Sequence, residues 1–208
     1  MKKIGISASC NNGGIGSLDS QLDHFISMKV DSVEIPLFDT DVIVGKKIIG
    51  SELDDLKKIL SNRNLDYTIH GELSVNLLDE KYFEDHKEVL KKDIEVSGEV
   101  GATHLVTHFG QTTNSIYEDT NKYNDLLKKQ DDCYLELSEL AKSSNVVLAI
   151  ENLFPFETDM YAPLPSEIAN HLKKLNHPFV KSCLDISHAY INCTYRNVHF
   201  INEIKTTL

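Results

Sequence analysis

The sequence predicts an α/β fold, a parallel TIM (β/α)8-type barrel of which six βα units are present. Three observations lead there. Short β-like runs alternate six times with longer helix-like runs, the pattern of a parallel sheet covered by helices. The run Val147-Leu148-Ala149-Ile150 is apolar without a break, which fits a strand buried on both faces. Polar or titratable residues end successive strands, at Glu34, His70, His108, Glu151 and Asp185. Barrels gather such strand ends at one mouth, where their sites lie. An open doubly wound sheet fits the alternation equally well. However, Gly13, Gly14 and Gly16 do not form the dinucleotide-binding GxGxxG after the first strand.

The elements follow in order. The first strand is expected over residues 4–9, then a turn at Asn11-Asn12-Gly13-Gly14. Ser17 caps a helix whose Leu18, Leu22, Phe25 and Ile26 recur at helical spacing. Strand two covers residues 32–37. Helix two starts near Ser51, with Leu53, Leu56, Ile59 and Leu60 on one face. Strand three is 67–70. Helix three spans 80–100 and is stopped by Gly101 in the C′ position. Strand four is 104–108. Helix four covers 123–142, with Leu126, Cys133, Leu137 and Leu140 inward. Strand five is 146–151, helix five 166–175, strand six 180–185, and a last helix 197–205.

Bulk properties narrow the function. The 208 residues are 41% hydrophobic and 25% charged, values ordinary for one soluble globular domain. A net charge of −11 weighs against nucleic acid and anionic membrane surfaces, whose phosphates need a basic face. It suits a divalent metal and a neutral substrate. Cys10, Cys133, Cys183 and Cys193 show no zinc-finger spacing and read as reduced thiols. The apolar start Ile4-Gly5-Ile6 is too short for a signal sequence, and no run reaches membrane-span length. A cytoplasmic protein is expected.

The strand ends carry the chemistry. They read Thr68-Ile69-His70-Gly71, Thr107-His108-Phe109-Gly110, Ile150-Glu151-Asn152-Leu153 and Leu184-Asp185-Ile186-Ser187-His188. One polar residue after an apolar strand means little. Four in succession, all His, Glu or Asp, make a ligand set for a divalent metal: carboxylates offer hard oxygens and imidazole extends the range toward Mn, Co and Zn. Glu151 is the most telling, because an ionised carboxylate after a buried run is costly unless paired or metal-bound. His24, His86, His104, His171, His177 and His199 read as structural or surface residues.

Together with Val33-Glu34, these pieces resemble the xylose-isomerase-like TIM-barrel superfamily, in order and over essentially the whole chain. That group holds sugar isomerases, ketose 3-epimerases, inosose dehydratases and endonuclease IV-type repair enzymes. Its usual His-Pro-Gly turn stands here as His108-Phe109-Gly110. The resemblance implies a divalent metal (Mn, Co, Mg or Zn) on Glu151 and Asp185, with Glu151 also catalytic. It implies that Glu157 and His188 touch substrate hydroxyls. In the endonuclease branch, His70, His108 and His188 would instead join Glu151 and Asp185 in a three-zinc cluster.

Family barrels need about 250 residues. Strands seven and eight, with the ligands they bring, are missing from this reading. Ile4 and Ile6 of strand one, and Val180 and Leu184 of strand six, are therefore expected to be partly uncovered, which favours a homo-oligomer. Three functions compete. The first is a metal-dependent sugar or sugar-phosphate isomerase or epimerase moving a proton beside a carbonyl. The second is a zinc phosphodiesterase acting on abasic DNA, opposed by the charge and the acidic loop Phe156-Glu157-Thr158-Asp159. The third is a catalytically degenerate barrel remnant.

Overall fold

A computed structural model describes residues 3–10 and 14–208. The expected turn at Asn11-Asn12-Gly13 lies outside the described residues, with Met1 and Lys2. Six strands form one parallel sheet: β1 (Gly5–Ser7), β2 (Ser32–Pro36), β3 (Asp66–His70), β4 (His104–His108), β5 (Val147–Glu151) and β6 (Val180–Cys183). Each pairs with the next in chain order. This singly wound order is that of a barrel and not of a doubly wound sheet. No pairing joins β1 to β6 among the described residues, so the barrel is open.

Among the described residues, seven helices of eight residues or more accompany the sheet: α1 (Leu18–Ser27), α2 (Gly50–Leu60), α3 (Phe83–Glu99), α4 (Thr120–Ser143), α5 (Pro165–Leu175), α6 (Ile186–Tyr195) and α7 (Phe200–Thr207); a short helix, Asn114–Glu118, precedes α4. The core lies between helices and strands, where Leu22, Leu56, Leu90 and Ile94 meet Val33, Ile35, Ile69, Leu105 and Leu148. Alternate residues face the lumen. In β2 and β3 the buried Val33, Ile35, Tyr67 and Ile69 interleave with the half-buried Ser32, Glu34, Thr68 and His70. Period-two alternation puts the apolar set under the helices and the polar set on the concave face.

Local signals account for the boundaries. Gly101 follows the last turn of α3 at φ +72°, and Ala102 N–H returns to Ser97 O at 2.9 Å, closing the helix as expected. Pro165 opens α5, and the Glu167 carboxylate accepts from Leu164 N–H at 2.6 Å. Asn176 ends that helix in the left-handed region at φ +48°. Two small antiparallel ribbons were not anticipated. One joins Ile43–Val44 to Lys47–Ile48. The other joins Thr112–Thr113 to Met160–Tyr161, tying the loops after β4 and β5 together.

Three expectations need correction. The segment 186–195, of which the sequence reading attaches 186–188 to the end of strand six and assigns the rest to no element, is the helix α6; Asp185 caps it by accepting from His188 N–H at 2.5 Å. A short carboxylate before an apolar run is a helix start signal as well as a ligand signal. The last helix accordingly begins at Phe200, with His199 as its cap. Val180 is not uncovered: at 2% exposure it is buried on the helix side of the sheet, although it lies on an edge strand. Ile4 is 69% exposed as expected, and Ile6 and Leu184 are half-buried. All four cysteines are free thiols. No helix among the described residues is long and apolar enough to cross a membrane.

Candidate metal centre

The strand ends converge as their positions require. Parallel pairing sets His108 beside Glu151 and Glu151 beside Cys183, so β4, β5 and β6 present one row toward the lumen. His70 reaches the same place from β3. Its Nε2 lies 3.4 Å from Glu151 Oε2, and His108 Nε2 lies 3.3 Å from the same oxygen. The two imidazoles meet edge to face, centroids 5.2 Å apart. Glu151 is only 7% exposed, and its Oε2 is buried without a hydrogen bond.

The ring orientations are fixed from behind. His70 Nδ1 lies 3.1 Å from Gly71 O, and His108 Nδ1 lies 3.3 Å from Leu73 O. A carbonyl only accepts, so each Nδ1 carries the hydrogen. In neutral rings both Nε2 lone pairs then point at an anionic oxygen. Such a convergence needs a cation at its centre. Without a metal, a proton serves. Burial alone pushes Glu151 up, but His108 and His70 outweigh it and hold the carboxyl at about 2. Burial pulls His70 down, and Glu151 with the Gly71 carbonyl more than reverses it, so its pKa ends above the usual value.

A divalent ion fits the same donors. Two atoms bound about 2.1 Å from zinc at a tetrahedral angle stand about 3.4 Å apart, the separation seen from Glu151 Oε2 to either ring. A second group shares the carboxylate: Glu151, Asp185 and His188 each offer a ligand atom within 4.8 Å of the others. His188 Nδ1 lies 3.0 Å from Asn152 O, and its ring packs 5.1 Å from Phe154. Glu151 thus links both clusters. Donors of mixed nitrogen and oxygen suit Zn, Mn or Co.

Of the residues singled out in the sequence, Glu151, Asp185, His70, His108 and His188 come together. Glu157 does not join them; it is exposed in the turn after β5, where its carbonyl accepts from Met160 N–H at 3.1 Å. Glu34 faces the lumen and accepts from Ser7 Oγ at 2.6 Å. His171, read as structural, pairs with Asp131 at 2.7 Å. The residues missed were those behind the ligands. Asn152 is buried and clasps Asp185, and Asn192 donates to the carbonyls of Leu153, Ala162 and Pro163. A buried asparagine directly after a ligand, or inside an apolar helix, is the signal that could have found them.

The family model of the xylose isomerase-like TIM barrel matches residues 23–206. The chain belongs to this family. Among solved structures, this family member superposes on a D-tagatose 3-epimerase-like protein with a TM-score of 0.73 at 16% identity, over 99% of this chain and 71% of the other. A D-psicose 3-epimerase from Clostridium cellulolyticum, solved with D-tagatose, gives 0.71 at 15% identity, over 99% and 70%. Endonuclease IV from Thermus thermophilus gives 0.64 at 16%, over 99% and 71%. Identities this low establish a shared fold. No curated protein matches the chain.

Proposed function

We propose that the protein is a metal-dependent isomerase or epimerase of a small sugar, polyol or sugar phosphate, working by proton transfer beside a carbonyl. The observation that carries this is the buried, unbonded Glu151 Oε2 facing two imidazole nitrogens, with Asp185 and His188 on its other side. Glu151, Asp185 and one or more of the three histidines would hold the metal. When bound, a divalent ion polarises a carbonyl and makes the adjacent C–H more acidic.

The chain's own groups supply the rest. Glu151 is held ionised at neutral pH by its histidines, as a metal ligand and a proton acceptor must be, and the same pull makes it a weak base in the metal-free protein. His188, held by Asn152 O, orients a hydroxyl, and Phe154 against its ring covers an apolar edge of the sugar. Glu157 and Phe156 are exposed in the loop after β5, from which Glu157 would meet outer hydroxyls. The epimerase-like neighbours support this reading.

The second reading is a zinc phosphodiesterase on abasic DNA. It is favoured by two adjoining clusters with three histidines, and by the endonuclease IV neighbour. The net charge of −11 opposes it. The test is exchange of the substrate α-proton with solvent deuterium, using ketoses and their phosphates with Mn2+, Co2+ or Zn2+ present. Exchange on a ketose supports the isomerase. Its absence on every ketose, with salt-sensitive cleavage of abasic duplex, replaces it with the nuclease. No reaction and no metal uptake would leave the degenerate barrel.

A further inference from the structure

Asp93, like Glu203, is a buried acid with no part in the proposed chemistry, and it is the more deeply buried of the two. Asp93 lies in the middle of α3, between Leu90 and Ile94, and is 1% exposed. Its Oδ2 accepts from Glu72 N–H at 3.1 Å, and its Oδ1 is buried without a partner. No cation pairs with it among the described residues. A carboxyl in that setting, with one oxygen unpaired, costs stability and calls for an explanation.

The explanation is visible in what Glu72 is part of. The loop 71–73 carries both carbonyls that orient the histidine pair: Gly71 O faces His70 Nδ1 at 3.1 Å, and Leu73 O faces His108 Nδ1 at 3.3 Å. Glu72 N–H lies between these two carbonyls in the chain. Gly71 is what lets the acid approach, since a Cβ there would stand 2.7 Å from Asp93 Oδ2 and 3.2 Å from a Leu105 methyl. The same loop is tied forward by Gly71 N–H to Val106 O at 2.9 Å.

We propose that Asp93 is a positioning residue for the metal centre: it anchors loop 71–73 from beneath, so that the loop's two carbonyls hold His70 and His108 with Nδ1 protonated and both Nε2 aimed at Glu151. It acts through the loop and touches no substrate. Outer partners that orient ligating histidines are worth 10–100-fold in metal affinity. Burial also pushes the Asp93 carboxyl up to about 7, against the opposing pull of the Glu72 N–H. A neutral isostere is therefore tolerable there.

The consequence for affinity rests on the metal-site reading; the consequence for ring order does not. The experiment reads both. In metal-free protein, at a pH above the raised His70 pKa so that both rings are neutral, 15N shifts of the imidazoles report which nitrogen carries hydrogen. Wild-type His70 and His108 should show Nδ1–H order. Asp93→Ala should mix the tautomers in both rings and weaken Zn2+ binding by about 10–100-fold. Asp93→Asn, which keeps an acceptor for Glu72 N–H, should restore both. Gly71→Ala, should Asp93→Ala fail to fold, should reproduce the mixing by pushing the acid away. Unchanged ring signals in folded Asp93→Ala or Gly71→Ala overturn the proposal. Ordered rings with no Zn2+ uptake by wild type remove the metal reading and leave the loop's role standing.

Discussion

Asn152 and Asp185 exchange two hydrogen bonds: Asn152 Nδ2 donates to Asp185 O at 3.0 Å, and Asp185 N–H donates to Asn152 Oδ1 at 2.9 Å. The first residue after Glu151 thereby sets where the carboxylate on the neighbouring strand end begins α6. Asn152→Ala would leave Asp185 N–H without its partner, while Asp185 O keeps Ala189 N–H at 3.0 Å. It should cost about 1–3 kcal/mol of stability and loosen Asp185. Urea denaturation reads the first effect, and metal titration the second. Loss of stability with unchanged metal affinity would show that Asp185 holds its place without the clasp.

In metal-free protein the ion pair of Glu151 with its histidines has a defined pH window. Glu151 is depressed from its ordinary value to about 2, so its contribution is present above about 4.5 and lost as pH falls through 2. His70 is raised, so its share is present below about 6.5 and lost as pH rises through its folded value. Both shifts describe one interaction and count once. Wild type minus Glu151→Gln should therefore be greatest between about pH 4.5 and 6.5, at most about 3 kcal/mol. Denaturation of both proteins across pH 2–9 checks it. A flat difference would mean that Glu151 and the histidines do not interact.

Tyr134 offers a test away from the site. It is wholly buried on α4, and its hydroxyl has no hydrogen-bond partner. Removing an unsatisfied buried hydroxyl while keeping the ring recovers its desolvation cost, about 1 kcal/mol or more. Tyr134→Phe should raise the denaturation midpoint without changing metal binding. A lower midpoint would reveal that the hydroxyl is bonded in solution.

The fold was legible because the strands state their own register. His70, His108, Glu151 and Asp185 each stand at the end of a short strand-like run, unbroken in its apolar residues only before Glu151, and parallel pairing carries equal strand ends to one mouth. The histidines needed no more than that placement to converge. Segment 186–195 misled because Asp185 serves two roles, strand-end ligand candidate and helix cap, and periodicity alone read only the first. Val180 misled because exposure on an edge strand depends on the face: β6 pairs Val180 with Leu148, under the helices. Asn152 and Asn192 could be marked by their place after a ligand or in an apolar helix, but what they and Asp93 hold could not be read, because their partners are backbone groups 21 to 39 residues away.

The central claim is that Glu151 and its neighbours form a metal centre, and calorimetric titration tests it most directly. Metal-free wild type and Glu151→Ala are titrated with Zn2+ and Mn2+, with circular dichroism to confirm that both remain folded. Saturable, stoichiometric uptake by wild type and its loss in Glu151→Ala is the predicted result. Equal uptake by both folded proteins, or none by either, would contradict the claim.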